Sequence, residues 1–194
     1  MHLTLDWLAE LGLLDAWRSS LGADQIRATE LRTGLWTLRF LAITLAVTPA
    51  RQLLGLGALA KYRRTFGLFA FFYACVHVAT WTWADTNFDL PFMGKEIVKH
   101  KYILVGMLTF VLLIPLAVTS TTGWIKRLGG TRWNRLHRLI YAAAVTGTVH
   151  YLWSVKKDTL FPVIYFVVFA ALLSYRLVRE RTPRVRTPRQ RLPA

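Results

Sequence analysis

The sequence predicts an all-α protein: a polytopic transmembrane helical bundle of five spans, preceded by an N-terminal interfacial or degenerate sixth helix. Three observations carry that prediction. The 194-residue chain is 54% hydrophobic with a mean hydropathy of +0.35, too apolar for an ordinary soluble domain of its length. Its apolar residues gather at 34–50, 66–84, 102–119, 136–154 and 159–177, each run close to the roughly 20 residues that cross a hydrocarbon core. Its formal charge of +15 is concentrated between those runs.

Taken in order, residues 1–22 repeat apolar positions but carry Asp6, Glu10, Asp15 and Arg18, which are costly at a bilayer centre. They read as the interfacial or degenerate helix, and they lack the basic start and small-residue cleavage site of a signal peptide. The first span, 34–50, has Arg39 near its outer end, where a long side chain snorkels to the surface. Segment 51–64 follows with Arg51, Lys61, Arg63 and Arg64, a net +4. The span 66–84 leads to a loop, 85–101, of zero net charge, and the span 102–119 contains Pro115, expected to kink it. Segment 120–138 carries Lys126, Arg127, Arg132, Arg135 and Arg138 for +5; the stretch 176–194 sets seven arginines against Glu180 for +6.

These basic segments are alternate loops, so the positive-inside rule puts all three, and the C-terminus, in the cytoplasm. The chain therefore divides into the helix 1–22, a membrane domain 34–177 and a basic cytoplasmic tail 178–194, a solvated anchor beside anionic membrane lipid. The charge does not denote nucleic-acid binding, for no recognition fold accompanies it. Trp81, Trp83 and Trp153 near one boundary and Trp124 and Trp133 near the other form the usual aromatic belts. Cys75 is alone, which excludes an intramolecular disulfide and any cysteine-based iron–sulfur or zinc site. Neither GxGxxG nor GxxxxGK[ST] occurs, so no nucleotide-binding module is recognisable.

The chemistry lies in the histidines. His2 and His100 fall outside the spans, whereas His77, His137 and His150 fall within them; an ionisable group in a membrane is a functional-site hypothesis by default. At about 1.5 Å per residue, His137 and His150 lie about 20 Å apart along one helix and so serve different depths. Crossing in the same direction, the span 66–84 brings His77 to the depth of His150. Helical steps back from His77 meet Ala74, Ala70 and Gly67; steps back from His150 meet Gly147 and Ala143. Two small-residue faces with one imidazole each leave a slot for a flat macrocycle, a b-type haem with His77 and His150 as axial ligands. Zinc would call for a third or fourth ligand at that depth. His137, rotated by about 220° on an ideal helix, faces away. It is left either for a second haem with one protein ligand, for a quinone or flavin site, or for a plain interfacial role. Arg63 and Arg64 share its surface as partners for a propionate or flavin phosphate, or as plain anchors.

The ordered motifs LGAD, TPAR, YRRTFGLF, CVHVATW, MGKEIVKHKY, TSTTGW, LGGTRWNRLHRLIY and VHYLWSVK, spanning about four-fifths of the chain, resemble the MsrQ family. Those are haem-binding membrane subunits of the bacterial periplasmic methionine-sulfoxide reductase system. The chain departs from the family at residues 1–20, which are more charged than the extra spanning helix with which similar members begin. The resemblance implies a ferric-reductase-like haem domain in the inner membrane, passing electrons from the quinol pool to a periplasmic molybdopterin partner that repairs oxidised methionines. A cytoplasmic flavin reductase is the other donor. It also implies haem histidines at His77, His137 and His150, with Arg64 where a four-histidine ferric reductase would have another, and an association with FMN that no motif locates. Two other functions compete: an autonomous ferric or quinone reductase, disfavoured without a flavin/NADPH domain after residue 177, and a haem-free transporter or scaffold whose histidines relay protons.

Overall fold

The computed structural model describes residues 25–155 and 159–181. The helix expected over 1–22 and the tail beyond 181 lie outside them. Among the described residues there are seven α-helices and no strand: α1 (Gln25–Leu53), α2 (Arg63–Ala84), α3 (Leu90–Lys99), α4 (Lys101–Val118), α5 (Thr122–His137), α6 (Leu139–Ser154) and α7 (Leu160–Arg181). A short 3-10 helix, Gly57–Tyr62, joins α1 to α2. By length and composition α1, α2 with the 3-10 helix before it, and α4 can cross a membrane, while Leu160–Arg176 is a shorter apolar stretch.

Several boundaries differ from the sequence expectation, each for a physical reason. α1 begins at Gln25, nine residues before the apolar run, because Arg27, Glu30 and Arg32 lower local hydropathy without breaking the helix. Arg39 is therefore mid-helix rather than terminal. Its Nε–H donates to the Tyr165 hydroxyl at 3.3 Å and its guanidinium lies 4.7 Å from the Trp36 ring centre. Loop 85–101 contains α3, started by Asp89, whose carboxylate accepts from the Phe92 N–H at 3.1 Å. The basic segment 120–138 is not a loop but α5, and it bends at Gly129, where φ of 72° suits a residue without Cβ. The helix expected over 136–154 starts only at Leu139, so His137 closes α5 instead of opening α6. A rotation counted along one ideal helix from 137 to 150 does not apply.

Consecutive spans pack as neighbours: α1 against α2, α2 against α4, and α4 against α6, with α1 against α6 closing the ring and α7 outside against α6 and α1. In a four-membered ring the second and fourth helices lie on a diagonal. α2 and α6 therefore face each other across the bundle. The core is Leu38, Leu41 and Leu45 of α1 with Ala70 and Ala74, Leu113 and Leu116, Ala143 and Ala144 of the other three. Small residues let the backbones approach closely. Outward positions are apolar too, among them Leu104, Leu108 and Val111 of α4 and Val163 and Val167 of α7, as a lipid solvent requires. Buried hydroxyls are satisfied within their own helices: Thr37, Thr44 and Thr148 each donate to the carbonyl four residues back.

Candidate functional site

His77 on α2 and His150 on α6 line one cavity of about 250 Å³ in the middle of the four-helix ring. Their ring centres are 6.1 Å apart and their planes cross at 75°. Each ring is held by a main-chain carbonyl from a different helix. The Nδ1–H of His77 donates to the Glu30 carbonyl of α1 at 2.9 Å, and that of His150 to the Tyr102 carbonyl of α4 at 2.7 Å. A carbonyl can only accept, so in both neutral rings the proton sits on Nδ1 and the lone pair on Nε2. That is the arrangement by which proteins fix metal-binding imidazoles.

Room for the rings comes from glycine on the helices that supply the carbonyls. A Cβ at Gly106 would stand 2.6 Å from Nδ1 of His150, and one at Gly34 would stand 3.3 Å from Cε1 of His77. Any side chain at Gly106 would displace the ring. The cavity lining is mostly apolar; Arg27, Glu30, Asp85 and Ser154 join it at the end where α1 begins and α2 and α6 finish.

The pair fits an iron porphyrin. Two metal–nitrogen bonds of about 2 Å, with roughly 1 Å more from each nitrogen to its ring centre, total about 6 Å, which matches the observed separation. A porphyrin would bring four nitrogens of its own, so two protein ligands would suffice. A bare metal ion would need more, and among the described residues no group of three His, Cys, Asp or Glu is placed to hold one.

His137 is not part of this cavity. It stacks on Trp133 with ring centres 3.9 Å apart, and its Nε2 lies 3.1 Å from the Thr119 hydroxyl. That hydroxyl already donates its proton to the Pro115 carbonyl at 2.6 Å. It therefore accepts from His137, which carries its proton on Nε2, the reverse of the other two rings. Arg63 is half-buried near His137, within electrostatic reach of it, while Arg64 is exposed. His100 lies between α3 and α4, 3.2 Å from Glu96, and His2 is outside the described residues.

Sequence reasoning brought His77 and His150 together and missed Gly34, Gly106 and the two carbonyls. A glycine inside an apolar run was the available signal for Gly106. The carbonyls had none, because every residue has one.

Comparison with known proteins gives two findings. A family model described as "Ferric reductase like transmembrane component" matches residues 33–148. The protein-methionine-sulfoxide reductase heme-binding subunit MsrQ of Azospira oryzae is 47% identical over 84% of this chain and 71% of that protein. The protein of the same description from Herminiimonas arsenicoxydans is 50% identical over 81% and 73%, and that from Xanthomonas campestris pv. campestris 48% identical over 81% and 72%. No solved structure matches.

Proposed function

We propose a function from one premise: the chain belongs to the MsrQ family of ferric-reductase-like transmembrane proteins. It is a b-type haem electron-transfer subunit of a protein-methionine-sulfoxide reductase, with His77 and His150 as the axial ligands. The observation that carries the assignment is the matched pair of Nδ1-to-carbonyl hydrogen bonds, which leaves both coordinating lone pairs on Nε2.

A bound haem would supply one-electron chemistry, and the chain's own residues hold and shield it. The Glu30 and Tyr102 carbonyls raise the basicity of the two imidazoles and hold their planes. Gly34 and Gly106 keep the space beside each ring clear. The apolar walls contributed by Leu38, Phe110 and Leu113 exclude water and lower the local dielectric. The similar proteins are named as subunits of a reductase, and on this reading the substrate chemistry belongs to a partner.

In the membrane, the positive-inside rule applied to the basic segments supports a cytoplasmic C-terminus and a histidine cavity toward the periplasm. The chain then sits in a bacterial inner membrane and takes electrons from the quinol pool, or from a cytoplasmic flavin reductase. It delivers them to a periplasmic molybdopterin subunit that repairs oxidised proteins. Purified protein from haem-replete cells tests the cofactor: a Soret band that shifts on dithionite reduction is the expected result, and a colourless preparation overturns the assignment. Reduction of the haem in liposomes by quinol analogues tests the donor. If only a flavin reductase reduces it, the quinol route is excluded.

A further inference from the structure

The segment that joins α2 to α4 exposes large apolar side chains. Trp83, in the last turn of α2, is 60% exposed, Phe88 64%, Leu90 75% and Val98 80%. Phe88 is held outward by an unusual backbone: Asn87 and Phe88 both have left-handed φ, 50° and 59°, a conformation that a bulky residue adopts only under strain. The turn is fixed by the Phe88 N–H, which donates to the Thr82 carbonyl at 3.0 Å, and by the Asp89 N–H, which donates to the Thr86 carbonyl at 2.8 Å.

α3 sorts its residues by side. Met93, Glu96 and Ile97 are half-buried, and the helix packs against α4 with Glu96 Oε2 3.2 Å from Nε2 of His100. Leu90, Gly94 and Val98 recur at four-residue steps and make one exposed apolar strip. Lys95 and Lys99 are exposed on the strip beside it. The carboxylates of the segment are engaged elsewhere: Asp85 lines the histidine cavity, Asp89 caps α3 and Glu96 faces His100, with Lys99 only in a 3.9 Å contact with it. An apolar strip flanked by lysines is the pattern of a helix lying in a membrane interface. Both ends of the segment are held at one membrane face, because α2 and α4 can each cross a bilayer, and the lipid-facing row of α4 starts at Leu104, one turn after His100.

We propose that residues 83–99 form a foot on the phospholipid surface, at the end of the bundle where Glu30 and Asp85 line the cavity. α3 lies along the bilayer plane, with Phe88, Leu90 and Val98 in the headgroup–acyl boundary and Lys95 and Lys99 among anionic headgroups. Burial of the Phe88 ring in lipid offsets the strain of its backbone, which exposure to water would not. The foot also sets the depth at which α4 begins, and with it the depth of the Tyr102 carbonyl that holds His150. It stands whether or not His77 and His150 bind haem.

The test places single nitroxide labels on the full chain in nanodiscs of phosphatidylcholine and phosphatidylglycerol. Cys75 is the chain's one cysteine, so Cys75→Ala gives a background for Leu90→Cys, Val98→Cys and Lys95→Cys, with Leu108→Cys on the lipid-facing side of α4 as the hydrocarbon reference. Collision with oxygen, which concentrates in lipid, is compared with collision with a water-soluble nickel chelate. Labels at 90 and 98 are expected to favour oxygen, approaching the label at 108, while the label at 95 favours the chelate. Equal chelate access at 90, 95 and 98 overturns the proposal, because the segment then stands in water. Shielding of 90 and 98 from both reagents overturns it too, because a protein surface then covers the strip. Phe88→Gly gives a second reading: glycine accepts the left-handed turn without strain, so the turn is kept, the insertion is weakened, and the label at 90 shifts toward the chelate. An unmoved label at 90 overturns the anchoring by Phe88.

Discussion

His77 and His150 at one end of the bundle and His137 at the other are the same side chain in opposite protonation patterns. The first two give Nδ1–H to main-chain carbonyls and keep the lone pair on Nε2. The third gives Nε2–H to a hydroxyl whose own proton is committed to Pro115. The difference teaches that a histidine at membrane depth does not declare itself a ligand. The acceptor beside it does, by deciding which nitrogen is left to coordinate.

The strongest way to break this comparison is to remove the rings. His77→Ala and His150→Ala should each bring the pyridine haemochrome signal to background, whereas His137→Ala should keep most of it. Full haem loss from His137→Ala with retention in His77→Ala would reverse the assignment. Next in size is crowding. Gly106→Val places atoms where the His150 ring stands and should remove most of the haem while circular dichroism reports unchanged helix content. Gly34→Ala meets His77 at a distance the ring can yield to, so it should retain haem with a shifted Soret maximum. Gly94→Ala, in open space, serves as the unaffected control.

Smaller effects belong to the basic end. Tyr141→Phe removes one neutral acceptor from Arg176 and should cost about 1–3 kcal/mol, the range for leaving a buried donor unsatisfied. Lowered thermal stability with normal haem content is the expected pairing. Thr119→Val takes the acceptor from His137 and should destabilise by about 1 kcal/mol, again without change in the haem spectrum. A spectral change in Thr119→Val would tie His137 to the cofactor and erase the contrast between the two ends.

The spans were legible because lipid-facing and core-facing positions are both apolar, which leaves long runs. What hydropathy hid was charge inside helices. Residues 25–33 fall outside the spans expected from hydropathy, yet they form the turns of α1 that hold His77. Segment 120–138 looked like a basic loop because α5 has little apolar content, although Thr121 caps it and Gly129 only bends it. Arg176 counted as one of seven arginines in a solvated stretch, but α7 runs on through Arg181 and lays it against Thr48 and Tyr141. The matched depth of His77 and His150 was readable from helical rise. Their diagonal placement was not, since it depends on which helices pack as neighbours.

The length of α1 has a consequence for control of the site. Its 29 residues rise about 44 Å against a hydrocarbon thickness of about 30 Å, so the helix overhangs the bilayer. The carbonyl that steadies His77 belongs to Glu30, six positions into that helix. A protein leaning on the overhang would stretch or shorten this hydrogen bond, and with it change how strongly the imidazole would donate to a bound metal. Docking and driving force would then be mechanically linked, through a lever reaching outside the membrane and a ring held inside it.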